Sequence, residues 1–310
     1  MILITGSTGF IGRTIVRHLV EEGYAVRILL APSRRSPRLA RGVGVDVTLS
    51  SLTDERGIRA ALVGVDTVIH LAGMSPGGQD KDVDAEVEGS RNLAEAAADA
   101  GAKHFIYLSH LGADPFSAYP ILSARGLSEE QIKTSGVPYT ILRASVIFGA
   151  GDDLTTSIAM ILSIAPAFLM PSGGETILQP LWVEDLARCI TWSIGAPDLI
   201  NQMLEIGGPE YLSYREIVQM IMRHVGKVRP LAELSPPVLR GGAAFLSRLM
   251  SSPPVTQNWL DYLAVDRTTD IDTVARVFSL QPARMEDHLE YLQDVSWGRE
   301  FLRRFQERRG

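Results

Sequence analysis

The sequence predicts an α/β protein, a doubly wound parallel sheet carrying a smaller C-terminal α/β lobe. Three observations lead there. Short apolar runs alternate with amphipathic stretches over residues 1–148, the pattern of successive β-α-β units. Residues 65–72 are apolar almost throughout, as befits a strand covered on both faces. The opening run passes directly into the glycine-rich turn Thr5-Gly6-Ser7-Thr8-Gly9-Phe10-Ile11-Gly12 and then into an amphipathic stretch.

Taken in order, residues 1–4 are the first strand, and 14–22 a helix with Ile15, Val16, Leu19 and Val20 on one face. A second strand covers 25–30, and a Pro- and Ser-rich loop over 31–41 holds Arg34, Arg35, Arg38 and Arg41. The third strand, 45–49, precedes a helix over 52–62, and the fourth, 65–72, precedes a loop over 73–80. An Ala-rich helix over 81–100 closes at Gly101, and the fifth strand is 105–109. A helix over 123–135 stops at Gly136, and one sixth strand covers 139–148. Regularity falls after Gly149. The pattern there predicts an apolar helix over 150–175, a strand over 177–183, a helix from Glu184-Asp185 to 194, a short strand over 204–206 and a helix over 214–225. Residues 1–150 thus form the sheet domain, with 176–200 returning to it. Residues 151–310 form the smaller lobe, laid over the open end of the sheet where such folds place substrates.

Composition limits the function. The net charge of −6 argues against nucleic-acid binding. Cys189 is the only cysteine, which excludes an intrachain disulfide and suits a reducing, cytoplasmic compartment. Met1 leads directly into the first strand, with no leader expected. The most apolar stretch, 158–170, is too short to span a bilayer and contains Pro166. The six histidines are scattered without metal-ligand spacing, so no metal is expected. Arg143 interrupts an apolar strand and needs a partner, with Glu129, Glu130 or a substrate anion as candidates. Asp152-Asp153 reads as a helix cap rather than a cation site.

The glycine turn carries the first functional inference. Strand, glycine turn and helix together aim backbone N–H groups and a helix N-terminus at a pyrophosphate. Gly6 supplies the tight turn, Gly9 lets phosphates approach the backbone, and Gly12 lets the helix pack close to the strand. The spacing is G-x-x-G-x-x-G.

These motifs, with residues 64–73, Phe105-Ile106-Tyr107-Leu108-Ser109, Tyr139-Thr140-Ile141-Leu142-Arg143, Val146-Ile147-Phe148-Gly149, residues 180–187 and Glu205-Ile206-Gly207-Gly208-Pro209-Glu210, follow a known order. The chain resembles the atypical or extended branch of the short-chain dehydrogenase/reductase superfamily, over essentially its whole length. The subgroup it most resembles contains complex I's accessory nucleotide-binding subunit, NmrA-like redox sensors and related assembly factors. The resemblance implies a Rossmann sheet that binds NAD(P)(H) at Gly6, Ser7, Thr8, Gly9, Phe10, Ile11 and Gly12. It also places Leu71, Ala72 and Gly73 near the adenosine ribose and Val146 near the nicotinamide.

The superfamily's enzymes use a Tyr acid/base, a Lys four residues later and a Ser on strand five. Ser109 falls at the Ser position, where it reads equally as a strand-end hydroxyl. Alignment puts Arg125 at the Lys position and Ile121 at the Tyr position. Arginine keeps the charge and can hold ribose hydroxyls without being a geometric equivalent of lysine, and isoleucine carries no proton. Tyr119 is the remaining candidate, either turned inward by a shifted helix start or a loop aromatic. The expected function is therefore an NAD(P)(H)-binding sensor, assembly factor or accessory subunit within a protein complex. The alternative is an active reductase, dehydrogenase or epimerase using Ser109 and Tyr119.

NADP(H) is favoured over NAD(H). The second strand ends in Leu30-Ala31-Pro32-Ser33-Arg34-Arg35, with no acid to hold a ribose 2′-OH. Arg34 and Arg35 either embrace a 2′-phosphate or belong to a solvated basic loop. Ser51 stands where the family commonly has an adenine-binding Asp. The basic segment 297–310, with Trp297, Phe301, Leu302 and Phe305 on one helical face, either packs on its own lobe or docks on a protein or anionic membrane surface.

Overall fold

The computed structural model describes residues 1–32, 44–73, 83–250 and 253–306. The first half runs β1 (Ile2–Thr5), α1 (Phe10–Glu21), β2 (Val26–Leu30), β3 (Asp46–Leu49), α2 (Glu55–Ala61), β4 (Thr67–His70), α3 (Val83–Asp99), β5 (His104–His110), α4 (Pro120–Thr134) and β6 (Tyr139–Ala144). The second continues through β7 (Ile147–Phe148), α5 (Asp153–Ile164), β8 (Phe168–Pro171), β9 (Ile177–Leu178), β10 (Leu181–Trp182), α6 (Val183–Ser193), β11 (Gln202–Ile206), β12 (Leu212–Ser213), α7 (Tyr214–Val225), β13 (Leu231–Leu234), α8 (Pro236–Leu249), α9 (Gln257–Tyr262), α10 (Thr273–Phe278) and α11 (Trp297–Gln306).

Seven strands form one parallel sheet in the order β3-β2-β1-β4-β5-β6-β11. The apolar faces of α1, α6 and α10 cover one side, through residues such as Ile15, Leu19, Leu186, Ile190 and Phe278. Those of α2, α3 and α4 cover the other, through Ile58, Leu93 and Ile132. Strands buried on both faces need the continuous apolar character of Ile2-Leu3-Ile4, and burying each such side chain contributes about 2 kcal/mol. The chain reverses its direction of winding between β1 and β4, and the carboxyl ends of these strands leave a crevice there. A third core lies in the C-terminal half, with Phe148, Ile158, Phe168, Tyr214, Trp259 and Trp297 among its members.

Several elements depart from the sequence pattern, each for a tertiary reason. The expected strand over 139–148 breaks at Ser145, where the chain leaves the sheet. Ser145 donates its N–H to Ile206 and its hydroxyl to the Arg267 carbonyl, and β7 pairs instead with β10. The expected helix over 150–175 stops at Ile164, because Ala165 precedes Pro166 and takes an extended conformation. Phe168–Pro171 then pairs with β13. The strand expected over 177–183 is two short ones, β9 and β10. The short strand expected at 204–206 is longer and completes the main sheet beside β6. Asp152 caps α5 by accepting from the Thr155 N–H. Helix α11 turns Trp297 and Phe301 onto the C-terminal core and leaves Leu302 and Phe305 exposed. Among the described residues, no helix is long and apolar enough to cross a membrane.

Candidate functional site: a dinucleotide cleft

The crevice is a cleft of about 470 Å³, within the roughly 300–1,000 Å³ of small-molecule sites. One wall is the turn from Thr5 through Gly6, Ser7, Thr8, Gly9, Phe10 and Ile11 to Gly12. Leu71, Ala72 and Gly73 after β4 form a second wall. Leu29, Leu30 and Ala31 at the end of β2, with Ser50 and Leu52 after β3, form a third, and Asp153 stands at the mouth of the C-terminal half.

The local backbone explains the glycines. Gly6 sits at φ +73°, and a Cβ there would stand 2.7 Å from the Ala72 nitrogen. A Cβ on Gly12 would collide with the Gly6 carbonyl and stand 2.6 Å from Ser7 Cα, so only glycine lets α1 lie this close to β1. Gly9 is the N-cap of α1, and no side chain caps that end. The nearest atom to a Cβ there would be the Gly6 oxygen, 3.6 Å away. The first-turn N–H groups are thus uncapped by any side chain, at the positive end of the helix dipole. Ser7 Oγ is buried in this wall and has no hydrogen-bond partner among the described residues. An open helix N-terminus beside an unsatisfied hydroxyl fits a pyrophosphate.

The other anticipated residues divide. Arg125 is buried on α4. Its Nη1 donates to the Tyr107 hydroxyl at 3.0 Å and to the Leu108 carbonyl at 3.1 Å, and its Nε stands 3.4 Å from Glu86 Oε1. Its guanidinium also presses on the end of the β4 wall, where a Cβ on Gly73 would approach it to 2.7 Å. Ile121 is buried one turn earlier. Ser109 is fully buried, and its hydroxyl donates to Glu129 Oε1 at 2.6 Å. Glu129 also receives Arg143, with Nη2 2.6 Å from Oε2, so the structural pairing for Arg143 is the one formed. Ser109 therefore faces α4 rather than lining the cleft. Tyr119 is the half-buried N-cap of α4 and lines a small separate cavity with Asn258, Tyr262 and Arg267. Val146 is buried in the C-terminal core, and its carbonyl accepts from the Leu181 N–H. Ser51 is tied to Thr53, and its neighbours Ser50 and Leu52 line the cleft instead. Arg34 and Arg35 lie outside the described residues.

Sequence reasoning missed Glu86; it offered Glu129 only as a partner for Arg143, and Asp153 only with Asp152 as a helix cap. Arg125 and Glu129, four apart on α4, carry an i,i+4 signal that both face the sheet.

Comparison with known proteins agrees with this geometry. A family profile described as NAD(P)H-binding matches residues 6–159. The photosystem II assembly factor Ycf39 of Cyanophora paradoxa is 30% identical over 227 residues, covering 73% of this chain and 69% of that protein. The chain belongs to the NAD(P)H-binding family of atypical short-chain dehydrogenases/reductases. Another relative is the mitochondrial NADH dehydrogenase [ubiquinone] 1 alpha subcomplex subunit 9 of Rattus norvegicus, 27% identical over 88% of this chain and 72% of that one. A third is the (4-alkanoyl-5-oxo-2,5-dihydrofuran-3-yl)methyl phosphate reductase of Streptomyces griseus, 29% identical over 86% and 88%. Among solved structures, the triphenylmethane reductase of Citrobacter sp. complexed with NADP(H) has the same fold, with a TM-score of 0.75 at 18% identity over 94% of this chain and 100% of that one.

Proposed function

We propose that this NAD(P)H-binding protein holds its dinucleotide as an accessory or assembly component of a larger protein complex, without Tyr–Lys chemistry. One observation carries the reading: a complete glycine cradle beside an acid/base position filled by buried Ile121 and by Arg125, which is paired with Glu86. The names of the rat and Cyanophora relatives, a complex subunit and an assembly factor, support it. The backbone of residues 6–12 would hold the pyrophosphate, with Leu71, Ala72 and Gly73 along the adenosine ribose. A bound nicotinamide supplies a hydride. Isoleucine at 121 can neither give nor take the accompanying proton, and Arg125 stays protonated at any accessible pH. Cys189 takes no part in this reading, because the thiol is buried and burial pushes its pKa up; as the only cysteine of the sequence it suits the proposed reducing, cytoplasmic setting.

NADP(H) is the preferred form in this proposal. Ala31 lines the cleft at the end of β2, and in sequence Arg34 and Arg35 are the first basic residues to follow, of the kind that clasps a 2′-phosphate. In a fluorescence titration, NADPH is expected to bind at least about tenfold more tightly than NADH. Joint replacement Arg34→Ala and Arg35→Ala should erase that difference while leaving NADH affinity unchanged. Equal loss for both nucleotides would point to a general electrostatic role instead.

The reductase named among the relatives supports a second reading, turnover, for which Ser109 and Tyr119 are the candidate groups. Steady NADPH oxidation by one member of a carbonyl or quinone panel, lost in Tyr119→Phe, would replace the accessory reading. Exposed Leu302 and Phe305 on α11 are the proposed contact with a partner or an anionic membrane. Removal of residues 297–310 should then abolish co-sedimentation with anionic liposomes if the membrane is what they meet.

A further inference from the structure

Helix α8 hides little of itself. Of its 14 residues only Ala243 is buried, with Leu239 and Leu246 half-covered on the same side. Its sequence does little to hold a helix either, because Gly241 and Gly242 stand at its centre, where glycine is disfavoured relative to alanine. Nothing inside the molecule calls for those glycines. A Cβ added to either would meet no atom within 4 Å, and neither has a positive φ. A helix of weak propensity draws its stability from packing, yet most of this one is bare.

The bare surface is patterned. Val238, Phe245 and Leu249 are 57%, 60% and 44% exposed. Their spacings of seven and four residues bring them within about 40° of one another around the helix, and the two glycines fall between them. Val238 precedes the midpoint of the glycine pair by as many residues as Phe245 follows it. A two-fold axis through that midpoint lays α8 antiparallel on α8 of a second copy. Val238 then meets Phe245 in both directions, about 5 Å either side of the crossing. At the crossing itself the glycines let the two backbones approach closely.

Charge fits the same pairing. In this register Arg248 comes level with Ser235 of the second copy, with Glu233 two residues beyond. Arg248 and Glu233 are exposed, and among the described residues neither has an ion-pair partner. Arg240, on the opposite side of the helix, is already paired with Asp261 of its own chain at 2.6 Å. The two Arg248 residues start about 20 Å apart, beyond the Debye length of about 8 Å, so they do not oppose the contact. We propose that α8 is the contact of a transient homodimer, two copies crossing antiparallel at Gly241–Gly242 with Val238 against Phe245 and Arg248 against Glu233 at both ends. A single pair of helices is smaller than a standard interface, which sets the dimer in the micromolar range. The inference does not rest on the dinucleotide reading.

The test is sedimentation velocity of the full chain from about 1 µM to about 1 mM, with melting curves to show that each variant is folded. The parent should pass reversibly from monomer to dimer. Phe245→Asp should raise the dissociation constant about thirtyfold or more. Gly242→Leu is the sharper variant. Nothing in the monomer stands in the way of its Cβ, so the melting temperature should hold or rise, while the blocked crossing should abolish the dimer. Arg248→Glu should weaken the dimer about fivefold, and adding Glu233→Arg should restore it. A parent that stays monomeric throughout, or a dimer indifferent to Phe245→Asp and Gly242→Leu, overturns the proposal. So does tighter association of Gly242→Leu, or a monomer that instead floats with anionic vesicles through Phe245, which would give the face to a membrane. Failure of the double charge swap to restore the dimer overturns the antiparallel register.

Discussion

Gly12→Val is expected to destabilise the front of the sheet and abolish dinucleotide binding, whereas Gly9→Ala should spare the fold and weaken binding alone. The contrast follows from what a side chain would meet. At Gly12 it runs into the Gly6 carbonyl and Ser7 Cα, backbone atoms that cannot rotate aside. Overpacking of this kind costs about 1–3 kcal/mol, and valine's branched side chain belongs at the upper end. The melting temperature should fall by roughly 6 °C or more. At Gly9 the backbone, φ −71° and ψ 173°, is open to any residue. The closest atom is 3.6 Å away, so alanine should change stability by less than about 0.5 kcal/mol. Its methyl group would nonetheless stand where phosphates meet the uncapped end of α1, and NADPH affinity should drop by about tenfold or more. Melting curves and fluorescence titrations of both variants separate the two effects. Unchanged affinity in Gly9→Ala would remove the α1 N-terminus as the phosphate site.

The glycine turn was legible because each of its constraints is local: Gly6 needs a positive φ, and Gly12 meets residues five and six positions away. The alternation of strands and helices to residue 144 was legible for the same reason, since hydrophobic period alone separates them. Legibility ended where long-range pairing decided. Nothing in residues 139–148 marks the break at Ser145, which exists because Ile206 and Arg267 accept from it across the fold. Only 204–206 of Gln202–Ile206 read as a strand, and nothing local assigned it to the main sheet, where β6 offers it an unpaired edge and Arg143 on β6 lies 3.8 Å from Glu205. The site shows the same boundary. The positions of Ile121 and Arg125 followed from alignment with the family's segment, but their contacts did not. Arg125 meets Glu86 from α3, and Ser109 meets Glu129 from α4, contacts created by packing two helices on one face of the sheet.

Acidification from pH 7 to pH 5 should destabilise the protein from the floor of the cleft outward. His70 ends β4, with Nδ1 2.6 Å from Thr5 Oγ1 and Nε2 3.1 Å from Ser90 Oγ. Burial, and after it the nearby Arg125 cation, pushes its pKa down to about 3. Burial alone pushes His104 down to about 4. Both folded values lie below the unfolded value near 6.5, so the unfolded chain takes up protons first. The stability these rings supply is complete above pH 6.5 and is lost progressively as pH falls toward 4 and 3. By pH 5 the loss is about 2 kcal/mol from His70 and about 1 kcal/mol from the less deeply enclosed His104. Asp152 works in the opposite sense. Burial raises its carboxyl to about 6 despite the Gly149 and Thr155 N–H groups it accepts from, so the folded state is protonated first and gains about 1 kcal/mol by pH 5. The histidines win by about 2 kcal/mol, a fall in melting temperature of roughly 4–8 °C. His70→Gln should lower the melting temperature at pH 7, through imperfect contacts to Thr5 and Ser90, and flatten most of the drop toward pH 5. An undiminished drop in that variant would place the acid sensitivity elsewhere. NADPH at about one hundred times its dissociation constant adds about 2.7 kcal/mol, somewhat more than the net loss of about 2 kcal/mol. The loaded protein at pH 5 should therefore melt close to where the free protein melts at pH 7, which ties the stability of the cleft floor to the ligand it is built to hold.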